Sequence, residues 1–259
     1  MQVNTAYQSL VEPVGTTRNW EDEDAGPAPR PAAVGVTWDC GAAPADVALL
    51  LVGWGAGAVF LGPCVAEGSA GGEPAGRMTV GDSECALLKL AAAADGGGAV
   101  VVAIGGATPP AADEAAAWAS ALCAAAKPRR VAVLDGLPVH RFTTNEPERP
   151  SAPRLLRLVT PEQLRLGGSA PCETLRAPNC TDGVVAALLT RCTLDRVAAS
   201  AYLSLQETAQ PSADSLFAFA PALAACGLGR GDDDDGELRK QCFAAAAAAA
   251  AASSASLYL

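Results

Sequence analysis

Asp46-Val47-Ala48-Leu49-Leu50-Leu51-Val52, followed at once by Gly53-Trp54-Gly55-Ala56-Gly57, decides the fold class of this 259-residue chain. The apolar run lacks the polar alternation of a half-buried strand. Bounded by Pro44 and Gly53, it fits a strand covered on both faces, the kind found inside α/β sheets. The glycine-rich turn leads into Ala58-Val59-Phe60-Leu61. Such a turn after a first buried strand raises the possibility of phosphate binding. The spacing here is G-x-G-x-G and not G-x-G-x-x-G, and no acidic residue closes a second strand at the matching distance. A tight connection between packed elements is the simpler reading.

Downstream, Gly68–Gly76 reads as a glycine-rich loop. Cys85–Leu90 and Ala99–Ile104 read as strands separated by Asp95-Gly96-Gly97-Gly98, which predicts an antiparallel pair. A helix is expected from Ala111 to Ala126, with Asp113 and Glu114 in its first turn, where the helix dipole favours acids. Trp118, Leu122 and Ala125 share one face of it, so it packs on a sheet. Val131–Asp135 is the next buried strand, and Leu155–Thr160 resumes the apolar pattern after a polar, proline-rich loop over 141–153 read as mobile or as a binding loop. Pro171–Asn179 reads as a linker. Asp182 is expected to cap a helix to Cys192, Ala198–Leu205 to form a strand, and Asp214 to cap a helix over Ser215–Ala225 that stops at Gly227. Strand, strand pair, helix and strand in this order predict a single three-layer α/β domain with a mixed central sheet over 32–236. Upstream, Val34–Trp38 fits a short strand. Residues 1–31 carry Glu21-Asp22-Glu23-Asp24 and a Pro-rich stretch and read as disordered.

Composition narrows the function classes. The net charge of −10 argues against nucleic acid and against an anionic membrane surface as partners. Nine scattered cysteines, with no CxxC pair and a single histidine, read as buried reduced thiols and not as a zinc site. Met1–Tyr7 is polar and is read as no signal peptide, and no apolar run approaches the ~20 residues of a membrane span. A soluble intracellular protein is expected.

No catalytic constellation emerges. His140 follows a strand end, where active residues often sit, and a plain loop histidine is the simpler reading. Asp135 is a candidate acid or base, but Asp-Gly more often marks a turn. There is no G-x-S-x-G, P-loop or HExxH. The run Asp232–Asp235 reads as a solvated loop before a divalent-metal site. No cofactor is expected.

The C-terminus is specialised. Glu237-Leu238-Arg239-Lys240-Gln241-Cys242-Phe243 leads into nine alanines, Ala244 to Ala252, which should be helical. Ser253-Ser254-Ala255-Ser256 is expected to end the helix, leaving Leu257, Tyr258 and Leu259 as a flexible tip with a free carboxylate. An aliphatic residue, an aromatic ring with a polar end and a carboxylate suit a narrow pocket.

Leu175-Arg176-Ala177-Pro178-Asn179, Ala186-Ala187-Leu188-Leu189 with Cys192, Ala201-Tyr202-Leu203, the helix around Phe217–Leu223 and the ending Leu257-Tyr258-Leu259 together resemble the proteasome assembly chaperone family. Leu49–Gly53 with Ala58–Leu61, and Val131–Leu134 ahead of a Thr/Glu-rich loop, are similar in order. The alanine runs and Asp232–Asp235 depart from the family pattern, as drift in a GC-rich genome such as a green alga's would make them. The resemblance implies a mixed-sheet fold similar to nucleoside phosphorylases without their activity. It implies a heterodimer with proteasome assembly chaperone 2, acting on the ring of proteasome α-type subunits in the cytoplasm and also the nucleus. It further implies insertion of the hydrophobic-Tyr-any tail between neighbouring α subunits: Leu257 in the apolar mouth, Tyr258 within the pocket and the Leu259 carboxylate on a lysine. The competing classes are a nucleoside phosphorylase-like or nucleotide-binding enzyme using Gly53–Gly57 and His140, and a scaffold with an inert tail.

Overall fold

A computed structural model describes residues 34–39, 41–66, 72–81, 83–90, 98–106, 109–144, 153–167, 171–228 and 235–256. The expectations for residues 1–31, for most of the 141–153 loop, for Asp232–Asp234 and for Leu257–Leu259 lie outside the described residues.

The run that opens the analysis is strand β2 (Val47–Gly53), and it lies inside a sheet of nine strands. Its neighbours are β5 (Ala99–Gly105) and β6 (Arg130–Pro138), both parallel to it. Leu50, Leu51 and Val52 are wholly buried, which is why the run carries no polar position. Strand β9 (Ala198–Gln206) continues the parallel block beside β6. On one flank β1 (Val34–Trp38), β3 (Glu73–Val80) and β4 (Ser83–Leu90) follow one another antiparallel and join β5 through β4. On the other, β7 (Leu155–Val159) runs antiparallel to β9 and carries β8 (Glu173–Thr174) at the edge. The order is β1-β3-β4-β5-β2-β6-β9-β7-β8, a mixed sheet as expected, with the β4–β5 pair antiparallel as its glycine spacer predicted.

Alternate residues of the central strands feed two cores, because successive side chains of a strand point to opposite faces. Leu50 and Val52 of β2, with Val131 and Val133 of β6, pack under α2 (Ala112–Ala126) and α4 (Gly183–Asp195). Leu49 and Leu51, with Ala132 and Leu134, pack under α1 (Ala56–Ala66), α5 (Ala213–Phe217) and α6 (Ala220–Ala225). This second core also takes the first turns of the C-terminal helix, α7 (Asp235–Ser256). A short helix, α3 (Pro161–Leu166), follows β7, its start held by Thr160, whose Oγ1 accepts from the Gln163 amide. Three layers result, as predicted.

Local chemistry corrects several expectations. The loop read over Gly68–Gly76 gives way to β3 from Glu73 onward. Pro74 and Gly76 look like loop residues, but Pro74 sits at the strand start beside an irregularity in register, and a Cβ at Gly76 would lie 2.1 Å from the Thr37 carbonyl oxygen of β1. Asp135-Gly136 is not a turn: β6 runs through it to Pro138, paired along its length with β9. The 171–179 linker contributes β8 and a cis Ala177–Pro178 bond. Asp182 stands at the N-cap of α4, but its carboxylate receives Arg141 at 2.7 Å and makes no cap bond. The expected 215–225 helix is two, capped by Ser212 and not by Asp214. Pro221 lacks an N–H and its ring excludes the carbonyl four residues back, so the helix stops at Phe217 and restarts at Ala220. Phe219 at the break is fully buried against Phe60 of α1, ring centroids 5.4 Å apart.

Candidate functional site

α7 is the element that carries the specialised C-terminus. It starts at Asp235 and runs 22 residues to Ser256, about 33 Å at 1.5 Å per residue. The serines therefore do not end it at the alanine boundary. Ser253 stays helical by donating its hydroxyl to the Ala249 carbonyl, 3.1 Å away.

Only the base of α7 is anchored by large side chains. Leu238 and Cys242, four residues apart and so on one face, are buried in the α1/α5/α6 core. Burial pushes the Cys242 thiol up to about 12, so it behaves as an apolar filler. Arg239 places its guanidinium 4.0 Å over the Phe217 ring of α5, with Asp214 at 4.0 Å. This cation–π contact at an exposed site is worth about 0.5–1 kcal/mol. Lys240 reaches Glu237 one turn back. Beyond Cys242 only Ala245 and Ala246 touch the core, while Phe243 is 63% exposed. Ala247, Ala248, Ala251 and Ala252 face solvent. The helix is fastened at its root and leads away into Leu257-Tyr258-Leu259, which lie outside the described residues. The anchors Leu238, Arg239 and Cys242 had no role assigned from sequence. The i, i+4 spacing of Leu238 and Cys242 was the available signal.

The candidates for chemistry lie after β2, inside β6 and just beyond it, on neighbouring strands of the sheet. The glycines of the Gly53–Gly57 turn serve packing. A Cβ on Gly57 would sit 1.9 Å from the Leu134 carbonyl oxygen, and one on Gly53 would lie 2.7 Å from the Gly57 carbonyl oxygen. Glycine at these positions lets the turn pack closely against the end of β2 and against β6. Trp54 of this turn stands edge-on to Trp118 of α2, centroids 5.4 Å apart. His140 is exposed in a single 3-10 turn after β6. Asp135 is held differently: burial raises its carboxyl to about 7, and the nearby Asp182 charge adds to the rise. The Gly136 N–H, 2.7 Å from its Oδ1, partly opposes that. Sequence reasoning listed Asp135 without any sign of this environment, because its neighbours lie far along the chain: Leu203 of β9 is its strand partner, and a Cβ on Gly55 would sit 2.7 Å from its Oδ1.

Among the described residues no cluster of His, Cys, Asp or Glu could hold a metal ion, and no helix is long and apolar enough to cross a membrane. Six of the cysteines are buried, but Cys172 is half-buried and Cys180 exposed, which corrects the reading of uniformly buried thiols.

The sequence matches no protein-family model, and no curated protein matches it. Solved structures do share the fold. Pyrococcus furiosus PbaB, an archaeal proteasome activator, superposes with a TM-score of 0.58 at 13% identity, over 82% of this chain and 95% of that one. Pyrococcus furiosus PbaA, an archaeal homolog of proteasome-assembly chaperone, gives 0.59 at 12% identity, over 82% and 87%. A PAC2 family protein from Streptomyces avermitilis gives 0.50 at 14% identity, over 77% and 93%. At these identities the likeness is one of fold.

Proposed function

We propose that this protein is a proteasome assembly chaperone that presents its C-terminal tail to the core particle as it forms. The observation that carries this reading is α7, rooted by Leu238 and Cys242 on this fold, with the hydrophobic-Tyr-any residues Leu257-Tyr258-Leu259 next after it in sequence. The fold shared with PbaA and PbaB supports it, since those proteins are named for proteasome assembly and activation. In the finer reading the chain takes the part of proteasome assembly chaperone 1. It pairs with proteasome assembly chaperone 2 and docks on the α-subunit ring. Leu257 fills an apolar mouth between α subunits, Tyr258 stacks and hydrogen-bonds inside, and the Leu259 carboxylate meets a lysine. The action is binding and not catalysis, in the cytoplasm and the nucleus.

Three residues bind weakly alone. Tethered to a docked body, they act at an effective concentration of about millimolar, so a rigid helix as tether adds affinity without new contacts. A pull-down from the native organism with an N-terminal tag tests the reading. The expected result is recovery of α-type subunits and one related chaperone, with the α-type subunits reduced at least tenfold by Tyr258→Ala and the fold unchanged. Recovery of no proteasome subunit under gentle conditions overturns it. One feature favours a second, enzymatic reading: burial raises the carboxyl of Asp135, inside β6, to about 7, the range in which a general acid or base works. Thermal stabilisation by a nucleoside or by phosphate, abolished in Asp135→Asn, is the outcome that reading requires.

A further inference from the structure

Beside the sheet edge at β8 lies a cavity of about 430 Å³, walled by the segment Phe142–Thr144 and by Leu175–Asn179. It is a built site. Asn179 ties its two walls together, its Oδ1 accepting from the Thr143 N–H and its Nδ2 donating to the Thr143 carbonyl, both at 2.7 Å. The same Nδ2 donates to the Arg176 carbonyl at 2.9 Å, fixing the turn that carries the cis Ala177–Pro178 bond. Phe142, Leu156 and Leu175 make an apolar lining, and Leu156 and Leu175 are continuous with the core under α4.

Two further features say what enters. The first is charge. Arg154 in the lining is spoken for by Glu173, but among the described residues the guanidinium of Arg176 has no partner, in a chain of net charge −10. An unmatched arginine over an apolar cavity suits a carboxylate attached to an apolar group. The second is the open strand edge. The Leu175 N–H donates to the Arg157 carbonyl at 2.8 Å, so alternation along β8 turns the N–H and carbonyl of Thr174, a residue of the cavity wall, outward and away from β7. An extended peptide can pair there as one more short strand.

We propose that this cavity is a receptor for a peptide C-terminus, and that its occupant is the Leu257-Tyr258-Leu259 tail of a second copy of this chain. The tail supplies what the cavity lacks: an anion for Arg176, apolar side chains for the lining and a backbone for Thr174. The occupant belongs to another copy because α7 packs in the opposite layer, on α1 and α5, and three residues reach only about 10 Å beyond Ser256. Self-association through the tail would hold the chaperone's ligand in store and release it on dilution or on contact with a stronger site. The inference takes its chemistry from the cavity and stands apart from the proteasome reading.

Fluorescence anisotropy tests it, using the full-length chain and an N-terminally labelled peptide of residues 250–259 with either a free or an amidated C-terminus. Saturable binding of the free acid is expected, with at least tenfold weaker binding of the amide and of the free acid to Arg176→Glu. Arg176 is exposed and, among the described residues, its side chain makes no bond, so the variant should melt with the wild type, and Arg176→Gln serves as a milder second variant. Equal binding of acid and amide, or unchanged binding to both Arg176 variants, overturns the proposal. So does the absence of peptide binding while inorganic phosphate alone stabilises the protein through Arg176, since that marks a small-anion site. The N-terminal-tag pull-down separates the two ideas: Arg176→Glu should recover proteasome subunits as the wild type does, whatever the peptide result.

Discussion

Alanine is the commonest residue of both α2 and α7, yet α2 buries large side chains along its length and α7 buries them only at its root. In α2, Trp118, Leu122 and Cys123 interrupt the alanines at helical spacing, and all three are buried. In α7, large residues occupy only the first turns, and from Ala244 to Ala252 nothing larger than a methyl group is available to bury. Alanine favours the helix in both cases by costing no side-chain entropy. The difference shows that intrinsic propensity sets the conformation of a segment, while the bulky residues among the alanines set its address. A helix needing to project from a body can be made by withholding those residues.

This contrast can be broken at three depths. Trp118→Ala should destabilise the whole domain by about 3–5 kcal/mol in denaturant unfolding, because it empties the contact between α2, Trp54 and the sheet. A loss below 1 kcal/mol would mean that α2 is no more integral than α7. Leu238→Ala comes next, with a cost of about 2–3 kcal/mol expected to fall on the root of α7. Hydrogen exchange should show α7 amides losing protection while those of α2 and α4 keep theirs. Uniform loss across the domain would show that α7 is part of the cooperative core. Ala248→Gly, on the exposed part of α7, should be the mildest: about 1 kcal/mol of local helix propensity, visible as faster exchange beyond Ala246 and absent from the global melt. A shifted global melt would place that face against the domain.

Much of the fold was legible. β2, β5, β6 and β9 announce themselves as apolar runs because a strand covered on both faces has no position free for a polar side chain. The edges were not legible. Pro74 and Gly76 in β3 read as loop, and the two residues of β8 read as linker, because both strands exist through their partners: β3 between β1 and β4, β8 on β7. The helix break before Pro221 was legible and was passed over, since the periodicity continues across it. Of the candidate site, the ending Leu257-Tyr258-Leu259 is plain in the sequence, and its anchor is not. Leu238 and Cys242 become a root only where α5 and α6 bring Leu216, Phe219 and Ala222 to meet them.

By itself, then, the chain determined its local grammar: which runs must be buried, where alanine makes helix, and that Leu257-Tyr258-Leu259 follow the alanine-rich helix. The reason is that these depend on neighbours within a few residues. Only the tertiary structure decided that the Gly53–Gly57 turn packs on Leu134, and that burial raises the Asp135 carboxyl to about 7. It alone decided that Arg176 overlooks a cavity whose walls Asn179 and Thr143 hold together. Those are properties of residues tens of positions apart, and steric exclusion, desolvation and charge pairing act on distance in space and not along the chain.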